Sequence, residues 1–373
     1  MATETETTAE YVHYHDGGIP GKRRILTGTD AHPTFNAVPK IDMQRMYSSN
    51  LSDRLQLSNE VGAACRDVGF FYAVNHGVDE TLLDETFGAV KKYFDLPMDV
   101  KMECHNQKTE KFRGYEKFLE GKLDPSTRGA DLKEGFLMGE DFTDPEQNLT
   151  PIPSLPATSK PRNQWPTDPR ALFFRPAIYK YYNAMLSFSR RLLRIFALAL
   201  SLPEDHFDAM TTHPMTNVRA VHYPPQTSPT DVGIGAHTDF CWFTLVCQSH
   251  TTTPALEVLN ANGIWIPVHH EPHSFVVNIA DFLKLVTGGT WATTVHRVRN
   301  IPGDGGVPEE RYSMPFFFSP NEDARVSVLE RFREEGKVYE EFVVGEYFRK
   351  RLDIDRTTHL DGEGEGERRR GYL

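Results

Sequence analysis

The chain has 373 residues, of which 39% are hydrophobic and 25% charged, enough for one large core or two modest ones. Its formal charge is −11, and Lys and Arg are scattered apart from Arg368, Arg369 and Arg370 after "GEGEGE", a solvated cluster that leaves no basic surface for nucleic acid. The longest purely apolar run, Ile195 to Leu200, falls far short of the roughly 20 residues of a membrane span, so a soluble, cytoplasmic protein without membrane or nucleic-acid partners is expected.

In chain order, residues 1–36 carry Gly, His and Thr without periodicity and are expected to be flexible and free of chemistry. "MATETETTAEY" has neither the basic start nor the apolar stretch of a signal peptide, and its glutamates argue against a transit segment. "VPKIDM" reads as a short strand. The spacing of Leu55, Val61 and Cys65 predicts a helix over 52–68, and "FFYAVN" (70–75) a strand. Asp79 is placed to cap a helix through "DETLLDETFGAVKKYF", with Val78 and Leu83 at staple spacing and Pro97 beyond its end. Residues 105–166 hold many Pro, Asp and Gly and few periodic segments, which predicts a long irregular stretch. Asp168 and Pro169 then suit the N-cap and first residue of a long helix through Ile178, Tyr182, Met185, Leu193 and Phe196.

After that helix the period changes. "TNVRAVHY", "FTLVCQ", "ALEVL", "IWIPV", "SFVVNI", "TTVHRVRN" and "RYSMPFFF" are β-rich runs separated by turn signals such as Asn262-Gly263 and Gly288-Gly289. An antiparallel barrel or sandwich with flanking helices follows, not a βαβ array. No Gly-rich phosphate loop follows a strand, and "GDGG" at 303–306 reads as a hairpin loop. The expected organisation is a flexible segment 1–36, an α/β region with a lid-like irregular segment at 37–165, a long helix plus β catalytic core at 166–350, and a flexible charged tail at 351–373. Cys65, Cys104, Cys241 and Cys247 form no C-x-x-C and no secreted spacing pattern, as in a reducing compartment.

Chemistry concentrates at "GIGAHTDFCWFTLVCQ" (233–248), where His237 and Asp239 stand one residue apart before a bulky apolar run. On a strand, residues two apart share a face, so the pair can aim an imidazole and a carboxylate at one point. Two readings stand: half of a metal site, or a histidine hydrogen-bonded at a strand edge. His296, flanked by β-branched residues in "TTVHRVRN", offers a third ligand from another strand. Two histidines and one carboxylate form a facial set that leaves three positions of an iron ion open. The cluster His269, His270 and His273 lies in a Pro-containing loop without a carboxylate at matching spacing and reads as solvated. In "RYSMPFFF", Arg311 and Ser313 share a strand face, a planar fork and a hydroxyl suited to a carboxylate; an arginine on an exposed strand edge is the other reading.

The ordered motifs "ACRDVGFFYAVNHGV", "DLKEGF", "RAVHYPP", "GIGAHTD", "VNIADF", "TTVHRV" and "RYSMPFFF" resemble the isopenicillin N synthase-like branch of the iron(II)/2-oxoglutarate-dependent dioxygenases, from about residue 37 to about residue 350. That resemblance implies a mainly β fold with flanking helices around a double-stranded β-helix (jelly-roll) core. It implies Fe(II) bound by His237, Asp239 and His296, and 2-oxoglutarate held by Arg311 and Ser313 with Tyr223 reaching it from a neighbouring strand. The chain departs from the plant pattern at Val221, where asparagine is usual. "HYPPQTSPTDVGIGAHTD" and "TGG" at 288 are also similar to the ethylene-forming relatives. The implied reaction consumes O2 and 2-oxoglutarate, with ascorbate as a supporting reductant. It releases succinate and CO2 and oxidises a C–H bond of a small secondary metabolite by hydroxylation, desaturation or rearrangement. An oxidase of the same fold that needs no 2-oxo acid, and a non-catalytic binding protein, are the alternatives.

Arg219, Val221 and Tyr223 alternate on one strand, so Arg219 and Val221 are expected to look into the pocket if Tyr223 does. Arg219 then meets a substrate oxygen or, alternatively, pairs with a carboxylate at the rim. Phe317, on the Arg311 face, and Trp242, just beyond the metal pair, are wall candidates, with core packing as the other reading of each. Arg113, Tyr115, Lys133, Glu134 and Phe136 belong to the irregular region expected to cover the mouth as a lid.

Overall fold

The computed structural model describes residues 10–16, 19–109, 113–120, 131–142, 144–147, 163–226, 232–299 and 302–350. Two curled sheets face each other, with helices against the outer side of the larger one. The strands and helices run β1 (Tyr11–Asp16), β2 (Ile19–Arg24), β3 (Lys40–Asp42), α1 (Leu51–Asp67), β4 (Phe70–Val74), α2 (Glu80–Phe94), α3 (Met98–Met102), β5 (Gly114–Glu116) and β6 (Glu134–Gly139). They continue with α4 (Phe174–Ala199), β7 (Pro214–Tyr223), β8 (Val232–His237), β9 (Phe243–Gln248), β10 (Leu256–Leu259), β11 (Trp265–Val268) and β12 (Phe275–Ile279). Last come α5 (Asp281–Val286), β13 (His296–Arg299), β14 (Arg311–Asn321), β15 (Arg325–Val326) and β16 (Phe342–Val343).

The larger sheet has the order β3-β4-β12-β9-β14-β7-β6-β5, the smaller one β11-β10-β13-β8-β1-β2. Pairing is antiparallel except at β3–β4 and β1–β8. β7 leads to β8, β9 to β10 and β11 to β12, each step crossing from one sheet to the other. This is the jelly-roll core that the family resemblance implied, within the antiparallel barrel or sandwich expected from the strand pattern.

The larger sheet is buried on both faces, which is why its strands read as near-continuous apolar runs. Along β14, Tyr312, Met314, Phe316 and Phe318 join a helix-side core with Val61 and Cys65 of α1, Val90 and Tyr93 of α2, and Ile178, Tyr182 and Phe196 of α4. Between the sheets lies a second cluster, with Phe70 and Tyr72 of β4, Val221 and Tyr223 of β7, Val258, Val276 and Val298. A strand's two-residue period sorts the side chains: Val276 faces the smaller sheet, and Val277 faces the helices.

Asp79 caps α2 as expected, its carboxylate accepting from Thr81 N at 2.9 Å. The turn at Asn262-Gly263 joins β10 to β11, and Gly263 has φ +71°, a left-handed conformation that glycine adopts without steric cost. All four cysteines are buried and free. No described helix is long and apolar enough to cross a membrane.

Several expectations are corrected. The N-terminal segment is not wholly flexible: β1 and β2 extend the smaller sheet. Leu55 is 42% exposed, because the buried stripe of α1 passes through Leu57, Val61 and Cys65 instead. Asp168 caps only a turn, accepting from Arg170 N, and α4 begins at Phe174. The stretch 105–166 contributes β5 and β6, and Arg113, Tyr115, Lys133, Glu134 and Phe136 are all buried beside or within them, in the wall of the fold. With β3 to β6 in one sheet with β7, the segments before and after residue 165 share a core. "GDGG" links β13 to β14, which lie in different sheets, so it is a crossover loop rather than a hairpin. The expected tail after 350 lies outside the described residues.

Candidate active site

His237 ends β8 and His296 begins β13, and the two are register partners in the antiparallel ladder. Partners on one rung project to the same face, and the ring centroids are 4.3 Å apart. Asp239 does not lie on the strand as the H-x-D spacing suggested; β8 stops at His237, and Asp239 sits past its end. The turn still delivers the carboxylate. Asp239 Oδ1 is 3.4 Å from His237 Nε2 and 3.8 Å from His296 Nε2. Ligand atoms of all three residues lie within 4.8 Å of one another, and no other such cluster of three or more occurs among the described residues.

The surroundings fix which atoms converge. His237 Nδ1 donates to Gly235 O at 2.8 Å and His296 Nδ1 to Thr294 O at 3.3 Å. A carbonyl only accepts, so each Nδ1 carries a proton and each Nε2 faces the shared point. On the carboxylate, Oδ2 accepts from Thr244 Oγ1 at 2.5 Å and Asn278 Nδ2 at 2.7 Å, which leaves Oδ1 for the same point. Phe70 packs edge-on against His296, with centroids 5.4 Å apart.

Charge follows from this packing. Burial would raise the Asp239 carboxyl, but the two imidazoles and Thr244 outweigh it and hold the group well below the usual carboxylate range. Burial pulls His237 down, and the hydrogen bond and charge of Asp239 more than offset that, so it ends raised. His296 is pushed down to about 4 by burial and by the neighbouring His237, against the pull of Asp239. An ionised carboxylate beside a neutral imidazole is the protonation state a divalent ion requires.

A second polar group lies on β14. Arg311 is register partner to Tyr223, and Ser313 to Val221, so the pair shares the face that looks toward the smaller sheet. Arg311 is 4% exposed, Nη2 donates to Gln248 Oε1 at 3.1 Å, and Nη1 has no hydrogen-bond partner among the described residues. Its guanidinium lies 4.8 Å from the Tyr223 ring centroid, and burial raises the Tyr223 hydroxyl's pKa against the pull of that nearby cation. The exposed-edge reading of Arg311 is therefore excluded. Burial disfavours its charge and lowers its pKa; a desolvated cation with a spare donor is matched to an anion.

Arg219 follows the second of its two readings: it pairs with Glu116 of β5, whose oxygens also lie 3.2 Å from Lys133 Nζ. Burial would raise Glu116, but Arg219 and Lys133 pull it down to about 2. Val221 is buried between the sheets. Phe317 is half-buried on the Arg311 face. Trp242 and Tyr115, expected beside the substrate, are instead enclosed in the helix-side core. Trp242 packs on Phe207 at 5.0 Å, and the Tyr115 hydroxyl donates to Glu134 at 2.5 Å. Their neighbours, not their spacing, decide which face of the sheet they take. His273 of the loop cluster pairs with Glu80 at 3.0 Å, away from the site.

Sequence reasoning missed Thr244, Asn278, Gln248 and Glu116. Asn278 carried a signal: it is the one polar residue in the strand "FVVNI", and a buried amide needs a partner.

Comparison with known proteins agrees with this architecture. The family described as "non-haem dioxygenase in morphine synthesis N-terminal" matches residues 38–168, and the "2OG-Fe(II) oxygenase superfamily" matches residues 214–320. A 2-oxoglutarate-Fe(II) type oxidoreductase of Metarhizium rileyi is 32% identical over 85% of this chain and 88% of its own. A homoarginine-6-hydroxylase of Oryza sativa subsp. japonica is 33% identical over 84% of this chain and 95% of its own. The crystal structure of full-length Neurospora crassa T7H in complex with alpha-KG superposes with a TM-score of 0.74 at 23% identity, covering 88% of this chain and 98% of that one, and shows the same fold. On this similarity the chain belongs to the 2OG-Fe(II) oxygenase superfamily and is an oxidoreductase that uses iron(II) and 2-oxoglutarate.

Proposed function

We propose that His237, Asp239 and His296 hold the iron(II), that Arg311, Ser313 and Tyr223 hold 2-oxoglutarate by its distal carboxylate, and that the enzyme oxidises a C–H bond of a small metabolite. The single observation that carries this reading is the convergence of two Nε2 atoms and one Oδ1 on a common point. The donor set fits: two imidazoles facing the point through Nε2 and one ionised carboxylate suit ferrous iron and leave positions open for exchangeable ligands. When bound, the iron and the 2-oxo acid together supply the oxidising power, with succinate and CO2 as co-products.

The chain's own residues bind and orient. Thr244 and Asn278 fix the carboxylate, and the carbonyls of Gly235 and Thr294 fix the two rings. Arg311 offers its unpartnered Nη1 to a carboxylate, with Ser313 on the same strand face. Val221, buried between the sheets, and Phe317, half-buried on the Arg311 face, serve in this reading as walls of the substrate space, which suits an apolar or partly aromatic metabolite. Hydroxylation is the default outcome; which C–H bond reacts is a matter of placement alone.

The test is succinate formation from 2-oxoglutarate with iron(II) and ascorbate, alongside Asp239→Ala. Wild-type turnover that vanishes in the variant is expected. Full turnover by Asp239→Ala, or product formation independent of any 2-oxo acid, overturns the reading.

A further inference from the structure

The hairpin of β1 and β2 lies outside both family-matched regions, the first of which begins at residue 38, yet it docks beside the proposed metal-ligand turn. In the smaller sheet β13, β8 and β1 are neighbours, and His296, His237 and His15 occupy one rung. His15 is therefore buried on the ligand-bearing face, and Asp16 falls on the opposite face with Thr238. The docking is built in several places. Arg23 Nη1 donates to Leu259 O and Asn260 O at 2.9 and 2.8 Å, Leu26 N donates to Asn262 O at 2.9 Å, and Val12 and Tyr14 pack on Ala236, Leu259 and Val295. A Cβ at Gly263 would stand 2.7 Å from Arg24 O, so the glycine permits this close approach.

Asp16 holds the turn from two sides. Its Oδ1 accepts from Oγ1 of Thr238, the residue between the two ligands, at 3.1 Å. Its Oδ2 lies 3.5 Å from Lys284 Nζ on α5, and α5 in turn donates Asp281 N to Asp239 O at 3.1 Å. We propose that Asp16 is a positioning residue: through Thr238 and α5 it clamps the His237–Asp239 turn and so sets the affinity of the site for its metal. This rests on the assignment of His237, Asp239 and His296 as ligands. Groups that orient metal ligands from outside typically carry ten- to hundredfold in affinity, and the half-exposed Asp16, 43% accessible, belongs at the lower end.

The test is Mn(II) titration of the full chain by calorimetry, without activity as a readout. Asp16→Ala and Thr238→Val should each weaken Mn(II) binding roughly tenfold, and the double variant should be no weaker than either alone. Asp16→Asn, which keeps an acceptor for Thr238, should restore most of the affinity. The melting curve of the metal-free protein should be unmoved. Wild-type affinity in both single variants, or losses that track a lowered melting temperature, overturns the clamp. If Asp16→Ala does not fold, Thr238→Val decides. His237→Ala that still binds Mn(II) at wild-type strength overturns the ligand assignment itself rather than the clamp.

Discussion

His296 and His237 stand opposite one another on adjacent antiparallel strands, ring centroids 4.3 Å apart, although four strands intervene between them in the chain. The proposed ligand set is thus a property of ladder register. A one-residue slip of β13 against β8 would turn His296 to the other face and dissolve the site.

Because the three groups are brought together only in the folded state, metal should stabilise that state. At a free Mn(II) concentration about a hundred times its dissociation constant, the expected gain is about 2.7 kcal/mol. Thermal melting with and without Mn(II) checks it: the wild type should shift upward, and Asp239→Ala should not respond.

The orientation of Asp239 depends on Thr244 and Asn278, which share Oδ2. Asn278→Leu keeps the volume but removes one of the two donors, leaving Thr244 alone to hold Oδ2 and loosening the orientation that reserves Oδ1. A ten- to hundredfold loss of Mn(II) affinity is expected, measured by calorimetric titration on folded protein.

Arg311 carries a conflict between function and stability. Without its anion it is a buried cation with Nη1 unsatisfied, and replacing such a group with an apolar side chain is often neutral or stabilising. Arg311→Met should therefore lose at least about 3 kcal/mol of 2-oxoglutarate binding, near the middle of the range for truncating a buried charge partner. Its metal-free stability in urea should match or exceed that of the wild type. Unchanged 2-oxoglutarate affinity would remove Arg311 from the site.

The Glu116 carboxylate is held down to about 2, against an ordinary value of 4.5, by Arg219 and Lys133 acting against burial. A depressed carboxyl stabilises the fold fully above the unfolded value and loses that contribution as pH falls through the folded one. Glu116→Gln leaves the buried Lys133 without the carboxylate it contacts at 3.2 Å and should cost about 3 kcal/mol at neutral pH. In urea titrations from pH 7 down to about 2, the gap between wild type and Glu116→Gln should be constant above about 4.5 and narrow below it. A gap that widens on acidification contradicts the assignment.

Much of this was legible in the residues. β7, β9, β12 and β14 announce themselves as β-branched and aromatic runs because both faces of their sheet are buried, and α2 is marked by its Asp79 cap. β5 and β6 were not legible. β5 has three residues and β6 carries two glycines in six, so neither carries a periodic signal; β6 owes its strand form to pairing with β7, and β5 to pairing with β6. The N-terminal hairpin was hidden because it is an edge, polar on one side and anchored by backbone contacts to distant segments. The start of α4 was misplaced because Asp168 satisfies a local turn before the helix begins.

By itself the sequence determined the class of fold and nominated His237, Asp239 and His296 as metal candidates and Arg311 with Ser313 as a carboxylate partner, because those readings depend on side-chain chemistry and on the two-residue period of a strand. Only the tertiary structure decided that Asp239 reaches the metal point from a turn, that Thr244 and Asn278 take its other oxygen, that Arg219 is engaged by Glu116, and that Asp16 stands behind the ligands. Each of these is a contact between residues far apart in the chain or past the end of a regular element. There the local period no longer tells a side chain which way to point.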